Sequence, residues 1–374
     1  MKHLKKIDLS IYKDFKQYFI FYDIEIKKKY SNKEEYLDSK NISPSSYRRA
    51  KNAGNKIGKE ILEKLNHEFS YKMINADIIN QLEIKLNEIY YNIYYKKSCL
   101  YEENANWVEE QLKYRYMIQP ILILFKLFLI VSSGSSPERI IEDNQLTYIE
   151  LTKYVRFLNE ELLEIYEIVD ISFRSKIDDV YLSKKFKNEL SCFTLSGKCL
   201  INEKYIESLY FAEKAKVILI KEENIKRLFH LNLNMMSAYN SLERYEDCYL
   251  LARKQMLALE SYEYDNFEYK VATMHYLISC LGLGYYEKII EKLSSKLKYN
   301  KTEIWCLLIS KYNTNKKEYE KEYLSLSSLD YATSMDIQYL KLINNFLVKK
   351  DKKIIEFLEK DQINPCIISI LKKM

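Results

Sequence analysis

Residues 45–52 carry side chains that suit contact with duplex DNA. Arginine can bond guanine bidentately, asparagine can pair with adenine, and hydroxyls and lysine can hold phosphates. From residue 40 to residue 64 there are seven basic and two acidic side chains, a balance that favours a phosphate-facing surface. A solvated basic helix is the alternative. The candidate DNA-binding residues are Ser45, Ser46, Tyr47, Arg48, Arg49, Lys51, Asn52 and Lys56.

Two helices are predicted before this stretch. Ser31-Asn-Lys-Glu34 fits a capping box, in which serine and glutamate satisfy each other's free amides, and it opens a short second helix. The first, longer helix is predicted from apolar residues that recur at helical spacing. They are Ile11, Phe15, Phe19, Tyr22 and Ile26.

Two more helices are predicted to complete a small head. Ser43 suits an N-cap and Pro44 suits the first helical position, so a short helix is expected from Pro44 to about Asn52. After the break at residues 53–55, another apolar stripe predicts a closing helix. Its members are Ile57, Ile61, Leu62 and Leu65. This order of helices resembles a repressor-type helix-turn-helix domain.

Charge supports a division of the chain after residue 66. Residues 1–66 contain 16 Lys or Arg and 9 Asp or Glu, whereas the whole chain has a formal net charge of only +6. The basic excess therefore lies in the head, which points that segment towards a polyanion. We predict a helix-turn-helix DNA-binding domain over residues 1–66 and a repeat domain over residues 67–374.

Three later segments share a template. Its aromatic positions are Tyr205, Tyr245 and Tyr286, which are 40 and 41 residues apart. Small or apolar residues lie nine before, three after and seven after each tyrosine. The pattern resembles tetratricopeptide repeats, whose helix pairs must stack because one pair cannot bury its apolar stripe alone. We therefore expect an all-α protein with a tetratricopeptide-like solenoid, the alternative being an irregular helical bundle.

Helical runs flank these repeats on both sides. A breaker at residues 132–137 separates two of the upstream runs. The predicted runs are Ile78–Lys97, Val108–Val131, Leu146–Ile171, Ile304–Leu326 and Met335–Leu358.

Composition argues against several classes of protein. Only 6 Gly and 4 Pro are present, too few for the turns of an extended-sheet protein. The start of the chain lacks a secretory signal, and the most apolar stretch, Ile121–Val131, is too short to cross a bilayer. A cytoplasmic protein with no membrane association is expected.

No enzymatic motif was found. The chain lacks a Gly-rich phosphate loop, an HExxH motif and a GxSxG motif, and its 4 histidines are far apart. Its 7 cysteines are scattered without a CxxC pair, which argues against a disulfide framework and a zinc site. We expect no catalytic residue, no metal and no cofactor.

A basic helix-turn-helix head before repeats of about 40 residues resembles the Rap/Rgg/NprR/PlcR/PrgX (RRNPP) peptide-pheromone receptors of quorum sensing and the related phage arbitrium receptors. The resemblance covers nearly the whole chain in its architecture, but the similarity of the individual residues is weak. It implies a homodimeric intracellular transcriptional regulator that binds a short signalling peptide on its repeats and thereby changes DNA binding. Some relatives with this scaffold are phosphatases or protein-sequestering factors instead, so a repeat module that does not bind DNA is the alternative.

The peptide role implied by this resemblance needs residues on the inner face of the repeats. Alignment of Tyr239 with Cys199 and Cys280 places several polar residues there, and asparagine suits a peptide backbone because its amide both donates and accepts. Arg227 and Arg244 could meet a peptide carboxylate. The alternative is an ordinary polar helix surface. The candidate peptide-binding residues are His230, Asn234, Ser237, Asn240, Arg227, Arg244 and His275.

Overall fold

The computed structural model describes residues 7–53, 56–96, 98–133, 137–182, 188–261, 266–294, 299–327, 334–351, 353–360 and 364–374. Within these ranges the protein is helical, and its β-structure is limited to an isolated bridge between Lys72 and Tyr116. The all-α prediction is confirmed. The chain divides into two compact units, Met1–Lys198 with Val217–Arg227, and Cys199–Lys216 with Leu228–Met374.

Most helices of the first unit come before residue 183. Short 3-10 helices cover Ser10–Lys13, Ser98–Leu100 and Val155–Phe157. The α-helices are α1 (Phe15–Lys29), α2 (Lys33–Ser39), α3 (Pro44–Ala53), α4 (Lys56–Phe69), α5 (Ala76–Tyr94), α6 (Tyr101–Leu112), α7 (Gln119–Ser132), α8 (Pro137–Thr152), α9 (Glu160–Phe173) and α10 (Asp179–Leu182).

The remaining helices follow the repeat pattern. The division between the units passes through the first three of them. They are α11 (Glu189–Ile201), α12 (Tyr205–Lys221), α13 (Ile225–Ser241), α14 (Tyr245–Ser261), α15 (Asn266–Gly282), α16 (Tyr286–Leu293), α17 (Lys301–Thr314), α18 (Lys316–Ser327), α19 (Ser334–Lys349), α20 (Lys353–Lys360) and α21 (Pro365–Lys373).

The four head helices begin close to their predicted starts. Before α3, the Ser43 hydroxyl accepts from the Ser46 amide at 3.1 Å, with Pro44 as the first helical residue, so that prediction is confirmed. The predicted capping box is wrong by one residue, because Asn32 is the extended residue before α2 and its side-chain oxygen accepts from the Glu34 amide at 2.9 Å.

The residues of the predicted apolar stripe of the first helix lie in or against the head core, except Ile11. Phe19, Tyr22 and Ile26 are fully buried, but Ile11 is 37% exposed. Residues 10–13 form a separate 3-10 helix whose buried residue is Tyr12, and its hydroxyl donates to the Phe157 carbonyl at 2.9 Å. The predicted domain boundary after residue 66 falls inside α4, where Phe69 still packs against Tyr22 with ring centroids 5.7 Å apart.

Several predicted single runs are pairs of helices. The residues between the paired helices include no glycine or proline, although Pro120 in the first turn of α7 is a start signal within one of the runs. Val108–Val131 is interrupted near Arg115, which has φ 52°, and Met335–Leu358 near Lys350, which has φ 55°. Leu146–Ile171 is interrupted before Asn159, which caps α9, and Ile304–Leu326 is interrupted at Asn315.

The repeat template marks helix starts and buried positions as predicted. Tyr205, Tyr245 and Tyr286 are the first residues of α12, α14 and α16. The positions nine before, three after and seven after each tyrosine are at most 1% exposed. They are Ser196, Ser208, Ala212, Met236, Cys248, Ala252, Leu277, Ile289 and Leu293.

The turns before these tyrosines share one geometry. Glu203, Glu243 and Gly284 have left-handed backbones, with φ of 59°, 58° and 72°. The following amide bonds back to the carbonyl five residues earlier, at 2.9, 2.8 and 2.8 Å respectively. This is a Schellman closure. Glu223, with φ 54°, repeats it between α12 and α13. The turn thus follows α11, α12, α13 and α15, and the helix pairs repeat at about 40 residues.

Gly282 provides a test of repeat packing. A Cβ added there would lie 2.6 Å from atoms of the Tyr245 ring. We expect Gly282→Ala to lower the free energy of unfolding by about 1–3 kcal/mol because the helix and the ring must separate. The measurement is denaturant unfolding, combined with Tyr245→Ala in a double-mutant cycle.

The cycle has a matched control. Gly284→Ala strains a backbone with φ 72° but places its Cβ at an ordinary van der Waals distance, 4.0 Å, from a Tyr286 ring carbon. Gly284→Ala should lower the free energy of unfolding by the same amount whether or not Tyr245 is present. If the cost of Gly282→Ala also stays unchanged in the Tyr245→Ala background, the close approach is not its cause.

Candidate nucleic-acid interface and peptide-binding face

One side of α3 is exposed and carries two arginines. Ser45, Arg48 and Arg49 are exposed, whereas Ala50 is fully buried on the opposite side. Neither arginine forms a hydrogen bond or an ion pair with any residue in the described part of the chain. Their guanidinium groups are therefore free to bind an external acceptor such as a phosphate or a guanine edge.

Tyr47 lies in the head core rather than on this exposed side. It is 3% exposed, its ring meets Phe19 edge-on at 5.0 Å, and its hydroxyl donates to Asp23 Oδ1 at 2.9 Å. Burial, and then the charge of Asp23, raises the pKa of this hydroxyl. The prediction that Tyr47 contacts DNA is corrected: residues 47 and 50 share the face of α3 that packs on α1.

Asp23 connects three of the head helices. It accepts from Tyr47, from Lys51 Nζ at 2.9 Å and from Lys33. Burial opposes its ionised form, but the bonds from Lys33 and Lys51 hold the pKa of Asp23 below its ordinary value. Lys51 was predicted to bind DNA, and in the structure its charge is already compensated.

The other predicted DNA-binding residues have separate positions. The half-buried Ser46 belongs to the helix cap, since its hydroxyl accepts from the Ser43 hydroxyl at 2.8 Å. The side chains of Asn52 and Lys56 lie outside the described residues. The exposed set at this face is thus Ser45, Arg48 and Arg49.

Two of the predicted peptide-binding residues have polar side chains without a hydrogen-bond partner in the part of the chain that the structure describes. Asn234 and Ser237 are half-buried on α13 and form no side-chain hydrogen bond with a described residue. They are three residues apart and so lie on one side of the helix. His230, one turn earlier, is 24% exposed and its Nε2 lies 2.7 Å from Glu268 Oε1. We call the row of His230, Asn234 and Ser237 on this side of the helix the α13 face.

Asn240 and His275 are interior residues. They are 1% and 6% exposed, and Asn240 Nδ2 lies 3.2 Å from His275 Nδ1. Burial lowers the pKa of His275 to about 4, so its imidazole is neutral near physiological pH. The prediction that both face a peptide is corrected, because they fill the contact of α13 with α15.

Arg227 is also structural. It is 5% exposed, its Nε donates to the Tyr94 carbonyl at 2.7 Å, and its Nη2 donates to the Ile93 carbonyl. Asn224 Nδ2 donates to the same Tyr94 carbonyl at 2.8 Å. These carbonyls end α5, where helical partners are missing. The predicted role of Arg227 in binding a peptide carboxylate is therefore corrected to that of a buried cap.

Arg244 remains at the surface. Its side chain is 51% exposed, its Nε donates to Asp247 Oδ2 at 2.8 Å, and its guanidinium lies 4.7 Å from the centre of the Tyr239 ring. An exposed ion pair of this kind contributes little to stability. Arg244 can therefore exchange Asp247 for another carboxylate.

Asp23 and Glu268 were missed by the sequence analysis. Asp23 sits within the first helix, beside the aromatic stripe, and its partners Tyr47 and Lys51 come 24 and 28 residues later. Glu268 meets His230 across 38 residues. Neither pairing has a local signal, since only packing of helices brings these groups together.

Comparisons with family models, curated proteins and solved structures give no match to this chain. The residues and the geometry of the chain itself are therefore the basis for inferring its function. In its described part, none of the helices combines the length and apolar character needed to span a bilayer.

Proposed function

We propose that the protein is a DNA-binding regulator that responds to a short peptide. The observation that carries the proposal is the exposed side of α3, where Arg48 and Arg49 have no partner in the described chain while Tyr47 and Ala50 anchor the other side. A short helix that follows a tight turn and presents free arginines suits insertion into the major groove.

The turn before α3 supports this proposal. Asn41 adopts a left-handed backbone with φ 54°, and the Ile42 amide bonds to the Leu37 carbonyl at 2.9 Å. Leu37 and Ile42 are 2% and 3% exposed, so the turn is fixed by burial as well as by hydrogen bonds. A fixed turn holds α3 in a defined orientation relative to α2, as base recognition requires.

Binding to duplex DNA is the direct test. The purified chain is mixed with a random-sequence duplex pool, and bound DNA is recovered and sequenced over a salt series. The proposal expects retention at moderate salt, an affinity that falls steeply as salt rises, and enrichment of a common sequence. Absence of retention even at low salt would overturn the DNA-binding role and favour a protein-sequestering module.

A homodimer is part of the proposal. A head of this size covers one half-site, and a two-fold operator needs two heads. Light scattering of the same samples should give twice the 45.0 kDa mass of the chain.

Asn234 is expected to contribute to peptide affinity. Its carboxamide has no hydrogen-bond partner among the described residues, and it can both donate to and accept from a peptide backbone. We expect Asn234→Ala to weaken binding of short peptides, captured from a random library and identified by mass spectrometry, by about tenfold. DNA binding without peptide should not change.

Asn106→Ala is the matched control, since Asn106 is an exposed asparagine on α6. It should change neither property. Unchanged peptide affinity in Asn234→Ala, or loss of DNA binding without peptide, would show that the α13 face is not the peptide site.

A further inference from the structure

Glu268 on α15 is a buried carboxylate with one bonded oxygen. It is 5% exposed, and its Oε1 lies 2.7 Å from His230 Nε2. Its Oε2 is buried and has no hydrogen-bond partner among the described residues. Burial of a carboxylate is costly unless its oxygens are paired, so this oxygen is an acceptor that lacks a donor.

Two other side-chain oxygens, on α13 and α14, share this state. The side-chain oxygens of Asn232 and Gln255 are also buried without a partner in the described chain. Gln255 lies close to His230 in the fold, because its Nε2 donates to the Phe229 carbonyl at 3.2 Å. Among the described residues, unpaired buried acceptors therefore occur on α13 and α14 as well as on α15.

The position of Glu268 connects it with the α13 face. His230, Asn234 and Ser237 follow one another at spacings of four and three residues, so they line one side of α13. The bond from His230 to Glu268 places the carboxylate at one end of that row. A chain lying along the row would reach Glu268 with its first or last group.

We propose that Glu268 is a subsite for a cationic group of the bound peptide, an inference that rests on the proposed peptide-binding function. An ammonium or a guanidinium has several donors and no acceptor, so it can bond Oε2 while His230 keeps Oε1. An apolar group would leave Oε2 unpaired, and an acidic group would be repelled. The cation is either a lysine or arginine side chain or the free N-terminal ammonium.

Peptide pools of defined charge provide the test. Each pool contains random short peptides with either one lysine or one norleucine, which matches the lysine stem without its amine, and each is made with a free or an acetylated N-terminus. Binding to the full chain is measured by competition and by mass spectrometry of captured peptides. The wild-type protein should favour pools that carry a cation over acetylated norleucine pools.

Glu268→Gln should weaken binding of the favoured pools by about thirtyfold or more and should leave acetylated norleucine pools nearly unchanged. Glu268→Asp keeps the charge and should retain the preference. If acetylated lysine pools still bind better than acetylated norleucine pools, the cation is a side chain. If acetylation of the N-terminus abolishes the preference, the cation is the N-terminal ammonium. Glu287→Gln, an equal charge change at an exposed residue of α16, should have no effect.

Two results separate the possible failures. If wild-type protein captures peptides but Glu268→Gln has the same charge preference, the cation subsite is overturned and the peptide function stands. If the wild type captures no peptide from any pool, the proposed peptide function itself is overturned. Thermal unfolding of Glu268→Gln shows whether the variant is folded, and Glu268→Asp decides the question if it is not.

Discussion

Replacement of both Arg48 and Arg49 with alanine is expected to lower the affinity for duplex DNA by about a hundredfold or more. Each good arginine contact with a base contributes about 1–3 kcal/mol, and both guanidinium groups are exposed and unpaired within the described chain. The loss should appear in fluorescence anisotropy titrations with the selected duplex. The affinity that remains should depend less steeply on salt, because fewer counterions are released.

The control removes the same charge elsewhere in the head. Lys16 and Lys27 are exposed cations of α1 and are not part of α3. Lys16→Ala/Lys27→Ala should change the affinity far less than the arginine pair. Equal losses in both double variants would mean that general charge, and not α3, determines the binding.

Replacement of Tyr47 with alanine is expected to destabilise the head by about 3–5 kcal/mol, the cost of removing a large buried ring. The ring packs edge-on against Phe19, and its hydroxyl is bonded to Asp23. Tyr47→Phe keeps the ring and loses only that hydrogen bond, for which we expect about 1.5–3 kcal/mol. Both losses of stability can be measured by denaturant unfolding in which hydrogen exchange of the amides of α1 to α4 reports on the head.

The two tyrosine variants also distinguish a packing role from a DNA contact. A packing role requires Tyr47→Phe to bind DNA as the wild type does under conditions where it is folded. If Tyr47→Ala kept full stability and lost only DNA affinity, its assignment to the core would be wrong.

Binding alone would not make the protein a regulator. A peptide changes the fraction of DNA-competent protein only if it prefers one arrangement of the repeats over another, by a few kcal/mol for a large shift. The peptide and DNA affinities must then depend on each other to the same degree, whichever ligand is varied. Titration of each ligand in the presence of the other measures this dependence.

Local signals in the sequence were sufficient for the all-α class and the repeat register. The tyrosines at 205, 245 and 286 mark helix starts, and the associated small or apolar residues are buried. Periodicity reveals these features because a helix must bury one side, and the close approach of paired helices restricts side-chain size at fixed positions. The Ser43-Pro44 start of α3 was likewise determined by local capping.

Only the tertiary structure decided where helices break and which polar residues are internal. Arg115, Glu203 and Lys350 occupy left-handed positions that sequence patterns assign to glycine, because packing and hydrogen bonds of the turn can offset their strain. Arg227 was expected on a surface but caps α5 through a carbonyl 133 residues earlier in the chain. A polar side chain is buried wherever a distant partner satisfies it, and the sequence does not show that partner until the helices have packed.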